Sequence, residues 1–172
     1  MRNLTRLLAF SVILALVLSI SPVPSYAVQA QYATTQKFLD VLDENEMKYT
    51  WNGITDSGDE KVTFRWAGEN SDDITALLYF DDDLDDVSLR VWNLVDFEEA
   101  DYPLVLKVVN ELNHRYRFVR FICDNSDWSV SLEADVPLHD GKESAEIAYD
   151  MLVYLVLIAD EAYPDLLPYA AE

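Results

Sequence analysis

The chain has 172 residues, with 12 Lys and Arg against 32 Asp and Glu, a formal net charge of −20. Apolar residues make up 51% and aromatics 12%, too much for a disordered acidic tail, so a packed core is expected. The charge argues against nucleic acid or an anionic membrane surface as partner, because both are polyanions. A lone cysteine and two histidines exclude an internal disulfide framework and a multi-thiolate metal site, and no cofactor is expected.

Residues 1–27 read as a secretory signal peptide. Arg2 and Arg6 give the charged start, Leu7 to Ile20 an uncharged apolar run, and Ser25-Tyr26-Ala27 a small-x-small cleavage motif. Val28-Gln29-Ala30 is a second acceptable motif, so the processed chain starts at Val28 or Gln31. The apolar run is shorter than a spanning helix needs, and Pro22 and Pro24 follow it. The expected location is therefore periplasmic or extracellular, with no membrane span in the processed chain. Cys123, alternating with Val119 and Phe121, is expected to be buried.

After a short segment, 28–33, the spacing of Phe38, Val41 and Leu42 predicts an amphipathic helix over Thr34 to Met47. Four runs with strand character follow: Lys48 to Ile54, Lys61 to Trp66, Ile74 to Phe80 and Val87 to Trp92. Short polar connections between them favour antiparallel pairing. A middle helix is marked by Glu98-Glu99, by Pro103 in its first turns, and by Val105, Val108, Val109 and Leu112 at i, i+3, i+4 and i+7. Two more strands are expected at Arg117 to Cys123 and Trp128 to Ala134, the second with Trp128, Val130, Leu132 and Ala134 inward and Ser129, Ser131 and Glu133 outward. The last helix is predicted from Asp140, as N-cap, to about Ala162, where Pro164 stops it. Met151 to Ala159 is apolar without interruption. A helix on one sheet needs only a stripe, so another subunit or the other helices should cover the rest.

The predicted fold class is α+β, an antiparallel sheet flanked by about three helices in the order α-β-β-β-β-α-β-β-α, with a domain over 34–168 and a tail at 169–172. Four quoted segments carry a family resemblance: Asn110-Glu111-Leu112-Asn113, Arg117-Phe118-Val119-Arg120-Phe121, Val136-Pro137-Leu138 and Ala162-Tyr163-Pro164-Asp165-Leu166. In order and spacing they resemble the YbjN family, whose fold is similar to that of the small type III secretion chaperones. Asn45 or Glu46 stands where that family often has glycine. The resemblance implies a non-enzymatic module described as a sensory-transduction regulator. It also implies a fold whose chaperone relatives are homodimers that bind extended client segments.

Several residues are candidates for function. Asp81 to Asp86 has oxygen ligands at calcium-loop spacing, but Asp86 replaces the turn glycine and Trp92 the distal glutamate, so a solvated hairpin tip is expected. No nucleophile elbow, phosphate loop, HExxH or CxxC is present. Lys107, Arg115, Arg117 and Arg120 are clustered cations that either dock a partner's acidic segment or neutralise nearby carboxylates. Trp92, sharing a face with Ser88 and Arg90, is a candidate contact residue. Asn110 and Asn113 are expected to bond backbone at the helix end. Val105, Val109, Leu112, Leu155 and Ile158 are candidates for a homodimer interface. The reading is an exported, non-enzymatic protein- or peptide-binding module. The rivals are an acidic hydrolase of the envelope and a calcium-responsive acidic binding protein.

Overall fold

The chain alternates between strands with one apolar face and helices with one apolar stripe, and each buries that side against the other. The computed structural model describes residues 29–71, 73–81, 85–139 and 141–171. The leader expected at 1–27, half of the acidic tip (Asp82 to Leu84) and the N-cap expected at Asp140 lie outside them.

Helix α1 (Ala33–Glu44) precedes four strands, β1 (Tyr49–Ile54), β2 (Glu60–Trp66), β3 (Ile74–Asp81) and β4 (Asp86–Asp96). A 3-10 turn (Glu99–Asp101) leads into α2 (Tyr102–Arg115), which has Pro103 in its first turn where no intrahelical N–H is needed. Strands β5 (Arg120–Asp124) and β6 (Ser129–Pro137) and helix α3 (Lys142–Leu166) complete the fold. The six strands form one antiparallel sheet in the order β1-β2-β3-β4-β6-β5. The element order is the one expected from the sequence.

One sheet face carries Val62, Phe64, Ile74, Ala76, Leu78, Phe80, Val87, Leu89, Val91, Phe121, Val130 and Leu132, all buried. Helices α1 and α3 pack together over it, and α2 packs on β5. The other face is open and polar, with Lys61, Thr63, Thr75, Tyr79, Ser88, Arg90 and Glu133.

Several details differ from expectation. Helix α3 does not stop before Pro164 but runs through it to Leu166. Proline removes one backbone donor in the last turns, and the burial of Ala162 and Leu166 holds the chain helical past it. Ser129 and Ser131 lie on the same side of β6 as Glu133 but are buried rather than exposed; Ser129 bonds Asp127 and Ser131 accepts the Asn93 N–H. Cys123 is only half-buried; burial and then Asp124 push its thiol pKa up. Val105, Val109, Leu112, Leu155 and Ile158 all turn into the chain's own core, so the side chains these helices offer outward are Leu104, Leu106, Ile147, Tyr154 and Leu157. Among the described residues no helix is long and apolar enough to cross a membrane.

At the turn after α1, Glu46 takes a positive φ of 56°, the left-handed conformation that favours glycine.

Candidate functional site

Strand β4 is interrupted two thirds of the way along. Val91 pairs with Leu132 and Val95 with Val130, so Trp92, Asn93 and Leu94 stand opposite the single residue Ser131. Asn93 makes this bulge possible: its φ is 48°, its N–H donates to Ser131 Oγ at 3.1 Å, and its Nδ2 donates to Asp96 Oδ1 at 3.0 Å.

The bulge has a consequence on the other side of β4. Pairing with β3 runs from Asp81/Asp86 only to Leu77/Arg90, whereas β3 continues to pair with β2 as far as Ile74/Trp66. The ends of β3 and β4 therefore part, leaving Ile74 to Ala76 without a β4 partner. The slot between them has a volume of about 310 Å³ and is lined by Ser71, Asp73, Thr75, Trp92, Asn93 and, from α3, Tyr163 among others. Trp92 is 48% exposed beside it.

The wall carrying Ser71 is fixed by a carboxylate from α3. Asp160 is buried and accepts the backbone N–H groups of Glu69, Asn70 and Ser71 at 3.0, 2.9 and 3.0 Å. It also accepts from the Asn70 amide at 3.3 Å and the Ser71 hydroxyl at 3.2 Å. Burial opposes its ionisation, but the three backbone donors and Ser71 outweigh burial and hold its pKa below the usual carboxylate range. Glu69, Asn70 and Ser71 are thereby pinned to α3 beneath the slot.

The arginines are not gathered there. On the open face Arg90, Glu133 and Arg120 share one register row across β4, β6 and β5. Arg90 bonds Asp135 at 2.6 Å and Arg120 bonds Glu133 at 2.6 Å. Burial raises the Asp135 pKa, but the hydrogen bonds from Arg90 and Ser88 more than reverse this and leave it lowered. Arg115 pairs with Asp165 at the end of α3. Of the three, Arg115 and Arg120 thus neutralise the chain's own acids, while Arg117 is exposed with no carboxylate pairing to it among the described residues. Beside it Phe118 is 75% exposed.

Asn113 does bond backbone, but not at its own helix end. Its Nδ2 donates to the Phe121 carbonyl at 2.9 Å and its Oδ1 accepts the Phe121 N–H at 2.8 Å. The side chain thereby imitates a neighbouring strand and closes part of the β5 edge.

The described lining of the slot is a mixture of polar and apolar side chains. Among its described lining residues Asp73 is the one carboxylate, where acid–base hydrolysis uses two. Among the described residues no group of three or more His, Cys, Asp or Glu is placed to hold a metal ion. What the slot offers is unpaired strand edge, an exposed indole and polar side chains, which is the equipment of a binding site.

The sequence signal for the slot is Asn93. Val87, Leu89, Val91, Val95 and Phe97 keep an inward phase of two, and a polar residue stands at the inward position between Val91 and Val95. The five donors to Asp160 leave no comparable local signal.

A search of curated proteins finds no match. A scan against protein-family models matches residues 34–168 to the YbjN model, described as "Putative bacterial sensory transduction regulator". The matched stretch runs from the first turn of α1 to just past the end of α3 and includes the bulge, the slot and the Asn113 clamp. By this match over most of its length, the chain belongs to the YbjN family.

Proposed function

We propose that the protein is an exported, non-enzymatic regulator that binds an extended segment of a partner protein in the slot between β3 and β4. The observation that carries this reading is the parting of the two strands at Leu77/Arg90, which leaves a short stretch of β3 edge open beside an exposed tryptophan. An extended segment adds main-chain hydrogen bonds to such an edge, while an indole supplies apolar contact area. Asp73 at the slot and the net charge of −20 favour a segment carrying Lys or Arg. Selection from a peptide library displays the consequence: enriched sequences are extended and basic, and they bind the Trp92→Ala protein about ten-fold more weakly or worse. Equal binding by the variant rejects the slot as the site.

The same reading includes a homodimer. Ile147, Tyr154 and Leu157 are 58%, 56% and 45% exposed and follow one another at helical spacing along α3, with a shallow cleft beside Tyr154 and Leu157. A second copy of the helix would cover this stripe in a two-fold contact.

A further inference from the structure

Glu60 opens β2 and is fully buried. Its Oε1 accepts the Gln31 backbone N–H at 2.9 Å and the Trp51 indole N–H at 2.6 Å, and its Oε2 accepts the Tyr32 N–H at 3.0 Å. All three donors are neutral, and among the described residues no Lys or Arg pairs with this carboxylate. Asp160, the other buried acid, is compensated by five donors; Glu60 has three. A carboxylate taken out of water with so few neutral donors is an incomplete site for a cation.

The segment that Glu60 holds begins at the bond after Val28-Gln29-Ala30, the second small-x-small motif. Cleavage after Ala30 would turn the Gln31 nitrogen into an α-ammonium, charged at neutral pH, at the position where a peptide N–H lies 2.9 Å from Glu60. Cleavage after Ala27 would leave that nitrogen an uncharged amide. We propose that the leader is removed after Ala30 and that Glu60 is the receptor for the new N-terminus, pairing with the Gln31 α-ammonium and tying the start of α1 to β2. This inference rests on reading residues 1–27 as an export leader. The loss of Ala30 gives up its N–H to the Gln36 side chain at 2.9 Å and the packing of its methyl group against the core, and sets against them an ion pair inside the fold.

An N-terminal glutamine also supplies its own control. When its nitrogen attacks the side-chain amide carbon, an N–C bond forms, ammonia leaves, and the ring keeps one N–H but loses the charge. A protonated, paired amine is not a nucleophile, so Glu60 slows this closure.

The test uses the full chain expressed in a host that exports it, with the processed product sequenced and weighed. A start at Gln31 is expected; a start at Val28 overturns this inference while leaving the leader intact, and a start at Met1 overturns both. The Ala30→Gln protein, cleaved after Ala27, is expected to melt about 4 °C or more below the wild type, and Glu60→Gln to abolish that difference. Equal melting, or a difference that survives Glu60→Gln, overturns the pairing. Independently, ammonia loss from the Gln31 start should be slower with Glu60 than in the Glu60→Gln protein, and equal rates count against the pairing.

Discussion

A side-chain β-carbon at position 68 would stand 2.2 Å from Asp160 Oδ1. Gly68 is therefore required by the close approach of a carboxylate 92 positions later in the chain, not by its backbone angles. The same β-carbon would meet the Ser71 carbonyl and hydroxyl at 2.7 Å, so neither the loop nor the helix can yield without losing the bonds that join them. Gly68→Ala should destabilise the fold by about 1–3 kcal/mol, read as a lowered urea midpoint. An unchanged midpoint would show that the loop is not held as described.

Asp160 itself gives a pH signature. Its folded pKa lies below the ordinary value, so the stability it contributes is fully present above the unfolded value, near 3.9, and is lost as pH falls through the folded one. Asp160→Ala should cost about 2–4 kcal/mol at neutral pH. The difference from wild type should shrink below about pH 4. Chemical denaturation across pH measures both; a gap that stays constant into acid would mean that ionisation of Asp160 is not the cause.

Glu46 holds φ at 56° in the turn where Met47 N–H reaches back to the Leu42 carbonyl at 2.9 Å. Replacing it with glycine removes the steric cost of the left-handed conformation. Glu46→Gly should raise stability by up to about 1 kcal/mol; a lower melting temperature would contradict this.

These turns and clamps mark the boundary of what the sequence discloses. The period-two alternation of Val62 and Phe64, or of Val130 and Leu132, is local, so the strands and their buried faces were legible. The apolar run Met151 to Ala159 predicts a helix needing cover on more than one side, and the sheet, α1 and α2 do cover most of it. Val105, Val109, Leu112, Leu155 and Ile158 are buried within the chain itself, and periodicity identifies such a stripe without saying whether the chain or a second copy buries it. The clamp on Asp160 was not legible, since its partners lie about 90 positions away and polar loop residues look alike in sequence. The bulge is legible in principle from Asn93, but an asparagine near the end of an apolar run reads first as the end of the strand, and the predicted strand accordingly ends at Trp92.

The outward stripe on α3 predicts association. The processed protein should be a dimer at micromolar concentration, more so as salt screens the repulsion between two acidic chains over about 8 Å. Leu157→Asp should return it to a folded monomer. Light scattering across salt and concentration measures this, and a monomer mass for the wild type at high concentration in moderate salt rejects the dimer.

The most direct test of the central claim is an NMR titration of the processed protein with a basic extended peptide taken from the library selection. The account predicts that the Trp92 indole N–H and the backbone amides of Ser71, Thr75 and Asn93 shift together with one dissociation constant, and that Trp92→Ala abolishes the shifts at the remaining three. Shifts confined to the α3 stripe or to Arg117 and Phe118, with the slot unmoved, would contradict it.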